Sequence, residues 1–449
     1  MQDALGNRVL QFGTDGVRGE FGTELTTQYV CALARAVAKV LQCKLVVIGR
    51  DTRESGPALE AAITESLTQL GIEVHLMGVA PTPAIAHAAA SKNIVALAIT
   101  ASHNPYRDNG VKIFGSGGRK LSDNEESRIE TALATELESQ STDGLAKTGL
   151  VQHRVDYLDQ YRASLIATVP KNSLAGLRIT IDCANGALST VAPDVFGALG
   201  AIVTTINATP NGQNINHECG ATNPVALIDS VRHFGAQLGI AFDGDGDRLI
   251  AIDNTGTVVD GDHLLAISAR EMKRQGILRN NAVAVTVMTN IGFHRAMKQA
   301  GIDVVTTPVG DRAVLTAIQD NDLSLGGEQS GHIIYRDLAT TGDGLLAAIR
   351  LATLVASATK SFSEIASDAM TSFPQVLISV RVARRATDIE QMFAVEISQA
   401  QQILADNGRV LVRPSGTEPV VRVMVEASRQ DDAQSVATTL ADAITARLG

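Results

Sequence analysis

The sequence predicts an α/β protein of several domains: three similar α/β units followed by a smaller α+β unit. Three observations lead there. Short β-branched runs alternate with Ala/Leu/Glu-rich helical stretches through most of the chain, the pattern of sheets buried under helices on both faces. The strand–loop–helix layout recurs before the final segment. From residue 371 onward the pattern changes to short alternating strands and one long helix. At 449 residues the chain is also too long for a single core.

In order, the expected strands are Lys44–Ile48, Glu73–Met77, Val95–Thr100, Val111–Phe114, Leu177–Asp182, Ala201–Ile206, Ala236–Phe242, Ala282–Met288 and Asp303–Thr306. Each is a run of Val, Ile, Leu and Ala with few charges, as a sheet covered on both faces requires. Thr27–Leu41 and Pro57–Leu70 are expected helices. Val376–Val382, Arg409–Val412 and Val420–Glu426 are the terminal strands, and Asp431–Leu448 the terminal helix. Ser139–Thr148 and Ser361–Ser372 are polar enough to act as seams. The expected domains are 1–150, 151–254, 255–370 and 371–449.

Composition narrows the function. Net charge is −10 and aromatics are 3% of residues, so a polyanion is repelled and a base-stacking surface has little to be built from. No nucleic-acid partner is expected. No run approaches the roughly 18 apolar residues of a spanning helix, and the first residues carry no signal-like apolar core. The expectation is a cytoplasmic protein without a membrane partner. Cys31, Cys43, Cys183 and Cys219 lack metal or disulfide spacing and are expected to be buried thiols in a reducing compartment.

The polar, glycine-rich segments follow apolar strands, where ligands bind in open α/β sheets. Asp243-Gly244-Asp245-Gly246-Asp247-Arg248 puts three carboxylates on a flexible turn. Such a cluster needs a hard cation, Mg²⁺ or Ca²⁺. A calcium loop is excluded by spacing, because Arg248 stands where its glycine belongs and Asn254 where its glutamate belongs. The bland alternative is a solvated acidic turn. Thr100-Ala101-Ser102-His103-Asn104-Pro105 reads alone as a turn. Beside a cation site, Ser102 gains a sharper role as carrier of a phosphoryl group that fills open metal positions. Lys112 is then a donor or acid/base near that group, and otherwise an exposed strand-end lysine. A hydrolase nucleophile is disfavoured, since G-x-S-x-G is absent.

Arg413-Pro414-Ser415-Gly416-Thr417-Glu418-Pro419 combines a guanidinium, hydroxyls and a stiffened run of backbone N–H groups, which makes a phosphate cradle. Gly326-Gly327-Glu328-Gln329-Ser330-Gly331-His332 is a glycine-flanked loop able to meet sugar hydroxyls. Phe12–Gly19 suggests a tight loop aiming Arg18 at an anion, and without context it is a surface loop. His103 and His332 are candidates because of their loops.

Together these segments, in this order, resemble the α-D-phosphohexomutase superfamily. Within it, FGTDGVRG at 12–19, IDCANGA at 181–187, PNGQNINHECGATNP at 210–224, VGDR at 309–312 and TTGDG at 340–344 are most similar to the bacterial phosphoglucosamine mutase family. The resemblance implies four domains around a central cleft, three similar α/β domains with mixed sheets and a C-terminal α+β domain. It implies that Ser102 is the phosphoserine and that Asp243, Asp245 and Asp247 hold one Mg²⁺ with a phosphoserine oxygen. Arg18, His103, Lys112 and Arg248 would line the reacting end. Glu328, Ser330 and His332 would bind the sugar. Arg413, Ser415, Gly416 and Thr417 would bind the non-reacting phosphate.

The implied reaction interconverts glucosamine 6-phosphate and glucosamine 1-phosphate through glucosamine 1,6-bisphosphate, feeding UDP-N-acetylglucosamine and cell-wall precursors. The implied substrate is a hexosamine phosphate, the implied assembly a homodimer, and the implied loading of Ser102 by a kinase or self-phosphorylation. Glucose or mannose phosphate mutase, phosphatase and non-catalytic binding protein stand as alternatives.

Overall fold

The computed structural model of the protein describes residues 10, 12–13, 16–138, 148–383, 388–415 and 419–449. They fall into two compact units, Met1–Val287 with Val304–Ala366, and Met288–Asp303 with Ser367–Gly449.

The first unit carries three sheets. The first contains β1 (Val17–Glu20), β2 (Leu45–Arg50), β3 (Glu73–Val79), β4 (Val95–Ile99), β5 (Asp108–Gly115), β6 (Arg119–Lys120) and β7 (Val151–His153), in the order β1-β5-β4-β2-β3-β7 with β6 beside β5. This sheet continues past residue 150 through β7, which runs parallel to β3. The second contains β8 (Arg178–Asp182), β9 (Ile202–Ile206), β10 (Leu238–Phe242), β11 (Leu249–Asp253) and β12 (Val258–Val259), ordered β12-β11-β10-β8-β9. The third is β14-β13-β15-β16, formed by β13 (Ala282–Thr286), β14 (Asp303–Thr307), β15 (Leu325–Gly327) and β16 (Ile333–Tyr335).

All three sheets are mixed, and in the same way. Parallel strands form the interior, and one strand turns back antiparallel: β5 on β4, β11 on β10, β16 on β15. In each case the connection is one of the polar motifs. TASHNP links β4 to β5, DGDGDR links β10 to β11, and EQSGH links β15 to β16. The strands feeding the first two loops are buried at every position. A fully apolar strand that ends in buried polar residues fixes where those residues sit, because a register slip would draw them away from their partners and into the apolar sheet.

Helices supply the cover. Helix Thr27–Leu41 starts at Thr26, whose hydroxyl accepts from Tyr29 N at 3.1 Å, and stops at Gln42 in the left-handed region. It buries Val30, Leu33 and Val37 in one core with Ile129 and Leu133 of helix Asp123–Glu138, each large side chain contributing about 1.5–3 kcal/mol.

The second unit is the antiparallel sheet β17-β19-β18, formed by β17 (Gln375–Arg381), β18 (Gly408–Pro414) and β19 (Val420–Ala427), covered by helix Gln430–Leu448. Val421, Val423 and Val425 alternate inward on β19 to meet Leu440 and Ile444. Helix Ile291–Ala300 groups with this unit. Ile291 N donates to the buried Glu426 carboxylate at 3.1 Å, and the Asn290 amide donates to Phe373 O at 2.9 Å.

Most of the expected seam at Ser139–Thr148 lies outside the described residues. The one at Ser361–Ser372 holds helix Phe362–Ala369, within which the two units divide. All four cysteines are free; Cys183 and Cys219 are buried as expected, whereas Cys31 and Cys43 are only half-buried. Among the described residues no single helix is long and apolar enough to cross a membrane. Helices Gly344–Ser357 and Phe362–Ala369 pass that test only as a pair bent by 111°.

Candidate active site

In the first unit, Ser102 leaves β4 with φ +53° and is fully buried. Its hydroxyl donates to Asp243 Oδ2 at 2.6 Å and lies 3.4 Å from His103 Nδ1. Two loops more than a hundred residues apart in sequence therefore meet at the serine oxygen. Gly244 makes this approach possible, since a Cβ there would stand 2.7 Å from Ser102 O.

Asp243, Asp245 and Asp247 are all buried, and one oxygen from each lies within 4.8 Å of the others. Lys112 stands in the interior of β5 and is 3% exposed. Its ammonium lies 2.8 Å from Asp245 Oδ2 and 2.7 Å from Asp247 Oδ2. The exposed-lysine alternative is thereby removed. Asp245 also accepts from the Thr82 hydroxyl at 2.6 Å, and Asp243 Oδ1 from Arg248 N at 3.2 Å.

The charges divide the triad. Burial, with Asp247 and Asp245 beside it, pushes the Asp243 carboxyl well up. Burial opposes charge on Asp247 too, but Lys112, His332 and Arg248 outweigh it and hold that carboxyl well below the usual range. Asp245 Oδ1 and Asp247 Oδ1 are buried without a hydrogen-bond partner, although Arg248 Nε stands 3.8 Å from the latter. Orphaned carboxylate oxygens in an all-oxygen cluster fit a hard cation. The solvated acidic turn is thereby excluded.

His103 is half-buried, and burial together with Arg248 and Arg18 pushes its imidazole down to about 4, so it is neutral at pH 7. Arg18 lies on β1 opposite Gly110 of β5, beside the strand that carries Lys112. Thr14 and Asp15 of that N-terminal loop lie outside the described residues. Arg248 follows the triad directly.

The Glu328–His332 loop adjoins the Asp243–Arg248 loop, with Leu249 N donating to Gly331 O at 3.2 Å. Glu328 is half-buried and accepts from Gly310 N at 3.2 Å, and Ser330 is exposed. His332 is buried, with Nδ1 3.7 Å from Asp247 Oδ2 and Nε2 3.8 Å from Asp311 Oδ2. It stands behind the triad, between two carboxylates.

In the second unit Arg413 lies directly opposite Arg422 on β19. Burial and this like charge lower the Arg413 guanidinium below its ordinary value. Facing arginines are destabilising unless an anion lies between them. Ser415 is buried and its N–H donates to Val420 O at 2.8 Å. Gly416 and Thr417 lie outside the described residues.

Sequence reasoning missed Arg422, for which cross-strand register was needed. It also missed Asp51, Arg53 and Asn216, whose contacts with the serine loop are purely tertiary: Arg53 Nη2 donates to Ser102 O at 2.9 Å and the Asn216 amide to the same oxygen at 2.8 Å.

Comparisons with known proteins identify the family. Domain models of the phosphoglucomutase/phosphomannomutase family match the chain at 9–140 (alpha/beta/alpha domain I), 155–256 (domain II), 260–373 (domain III) and 377–443 (C-terminal domain). A phosphoglucosamine mutase of Rhodococcus jostii is 46% identical over 441 residues, covering 96% of this chain and 98% of that protein. One from Frankia casuarinae is 47% identical over 444 residues, covering 96% and 97%. Among solved structures, Aspergillus fumigatus N-acetylphosphoglucosamine mutase in complex with GlcNAc-6P and magnesium superposes with a TM-score of 0.70 at 19% identity, over 98% of this chain and 96% of that one. With near half of its residues shared along almost the full length of such relatives, the chain belongs to the phosphoglucosamine mutase family of phosphohexomutases.

Proposed function

We propose that the protein interconverts glucosamine 6-phosphate and glucosamine 1-phosphate, with Ser102 carrying the transferred phosphoryl group and glucosamine 1,6-bisphosphate as intermediate. The observation that carries the reading is the buried Ser102 hydroxyl, 2.6 Å from a carboxylate of a triad that also holds Lys112.

In the first half-reaction the bond from phosphorus to Ser102 Oγ breaks as a bond to the free sugar oxygen forms. His103, neutral at pH 7, stands at the serine to take the sugar hydroxyl proton and to return a proton to Ser102 Oγ as the bond to phosphorus breaks. In the second half, the other phosphate returns to Oγ. The Ser102 proton then has two acceptors in reach, Asp243 Oδ2 at 2.6 Å and His103 Nδ1 at 3.4 Å, and a proton passes to the departing sugar oxygen, so the cycle neither gains nor loses one. A loose phosphoryl transfer asks little of a base, so positioning and charge do most of the catalysis. Asp243, Asp245 and Asp247 would hold Mg²⁺ with an oxygen of phospho-Ser102, and the ion when bound neutralises charge on the transferred group.

Lys112, Arg18 and Arg248 supply positive charge at the reacting end. Glu328 and Ser330 contact sugar hydroxyls, with His332 steadying the loop. Arg413, Ser415, Gly416 and Thr417 bind a substrate phosphate. The four expected domains belong to this reading, as do a cytoplasmic location, a homodimer, and first loading of Ser102 by a kinase or self-phosphorylation.

A coupled assay with Mg²⁺ and a trace of glucosamine 1,6-bisphosphate tests it on glucosamine, glucose and mannose phosphates. Preference for glucosamine phosphate is expected. Preference for glucose or mannose phosphate contradicts the substrate, and no turnover of any contradicts the mutase reading.

A further inference from the structure

Ser102 adopts a backbone conformation that a non-glycine residue takes only when its surroundings impose it, at a cost of roughly 1–3 kcal/mol. What imposes it is a closed circuit. Ser102 N donates to Thr100 Oγ1 at 2.9 Å, and the Thr100 hydroxyl donates to Asp51 Oδ2 at 2.7 Å. Asp51 Oδ2 accepts from Arg53 Nε at 2.9 Å, and Arg53 Nη2 returns to Ser102 O at 2.9 Å. Both backbone groups of the serine are thus held by one buried ion pair, whose side chains have no exposed surface.

Arg53 is fully committed to this loop. Each of its five N–H groups has an acceptor: Asp51 Oδ2, and the carbonyls of Ser102, Asn104, Pro105 and Asp108. Only a guanidinium offers that many donors in a rigid plane, and an ammonium has three. From the second sheet's side, the Asn216 amide donates to two of the same carbonyls, Ser102 O at 2.8 Å and Asn104 O at 3.1 Å. Asn216 is itself at φ +56°, a conformation Asn tolerates better than most residues.

The geometry points to Arg53 and Asn216 as positioning residues for phosphoryl transfer: acting through the carbonyls of Ser102 and Asn104 from two sides, they set the left-handed turn that aims Ser102 Oγ at the carboxylate triad. The inference rests on Ser102 being the phosphoryl carrier. It makes two predictions, and the rate constant of a single turnover separates them from a role in folding alone, which lowers the amount of active protein and leaves that constant unchanged. The defect lies in kcat with KM for glucosamine 6-phosphate unchanged, because both residues act through the carbonyls of Ser102 and Asn104. The conservative Arg53→Lys variant fails to rescue, because charge without the planar fork cannot reach the carbonyls.

The test is single-turnover transfer from glucosamine 1,6-bisphosphate to dephosphorylated Ser102, followed by intact mass, alongside steady-state kinetics and thermal melting. Asn216→Gly removes the amide without straining a left-handed position. It should slow transfer and kcat up to about tenfold, the worth of one shared hydrogen-bond donor, with KM within twofold. Arg53→Lys should slow both by about a hundredfold, the effect of a displacement near 1 Å at a reacting atom. If Asn216→Gly, with an unchanged melting temperature, transfers phosphate at the wild-type rate, the positioning role is wrong. A loss that appears in KM alone is equally contrary. Failure of the wild-type protein to take phosphate on Ser102 is a different result, and it overturns the proposed function.

Discussion

Replacing Lys112 by methionine isolates the charge balance on which the aspartate triad depends. Lys112 is 3% exposed, and its ammonium lies within 2.8 Å of two buried carboxylates. Methionine keeps most of the volume and removes the charge, leaving buried Asp245 without its ammonium partner and Asp247 with only Arg248 and His332 beside it. Breaking a buried pair in this way costs about 3–5 kcal/mol. A divalent cation answers the same carboxylates, so the loss should be large in EDTA and smaller in Mg²⁺. At a metal concentration of about 100 Kd, mass action alone returns about 2.7 kcal/mol. The lysine also repels the ion, so the variant should bind Mg²⁺ more tightly than wild type, and its melting temperature should rise further on adding the metal. Differential scanning fluorimetry of both proteins across a Mg²⁺ titration measures this directly. A variant as stable as wild type in EDTA, or an equal Mg²⁺ response in both, would refute the reasoning.

Gly244→Ala should lower kcat and cost about 1–3 kcal/mol by overpacking, because its Cβ would stand 2.7 Å from Ser102 O; wild-type activity would show that the two loops do not need this approach. Arg413→Ala should raise KM about 10–100-fold, the worth of a charge-assisted hydrogen bond to phosphate, with a smaller change in kcat; an unchanged KM removes β18 from the binding machinery. Asp343 caps helix Gly344–Ser357 by accepting from Leu346 N at 2.9 Å, and also accepts from Tyr161 OH at 2.9 Å. Burial raises its carboxyl from 3.8 to about 6, so between those pH values the native state holds the proton that the unfolded chain releases, and stability falls as pH rises. Asp343→Asn, which keeps the acceptor, should flatten that slope and gain about 2–3 kcal/mol at pH 8 relative to pH 4; parallel stability–pH curves for the two proteins would contradict the assignment.

Much of the architecture was legible because apolar strands advertise themselves. Thr27–Leu41 was read to the residue, and the strands at 73, 95, 282 and 303 begin where expected. The returning strands were harder. β11 and β16 are five and three residues long and follow glycine-rich loops immediately, and nothing in such a short apolar run tells whether it turns back or crosses over. The site was legible where charge density is high, as in the aspartate triad, whose burial and proximity to Ser102 only tertiary structure could add. Lys112 was singled out from the sequence, but its burial follows from β5 lying between β4 and β1. Arg53 was invisible and Asn216, although inside the 210–224 segment, had no legible role, because their partners are backbone carbonyls reached only through tertiary structure. His332 stood out through its loop, yet its neighbours Asp247 and Asp311 come from two other segments.

The central claim is that Ser102 carries the phosphoryl group. Dephosphorylated protein incubated with glucosamine 1,6-bisphosphate and Mg²⁺, then digested and mass-analysed, tests it most directly. The account predicts one phosphoryl group on the peptide containing Ser102, release of an equal amount of glucosamine phosphate, and neither event in Ser102→Ala. Phosphate on another residue, or turnover by Ser102→Ala at the wild-type rate, would contradict it.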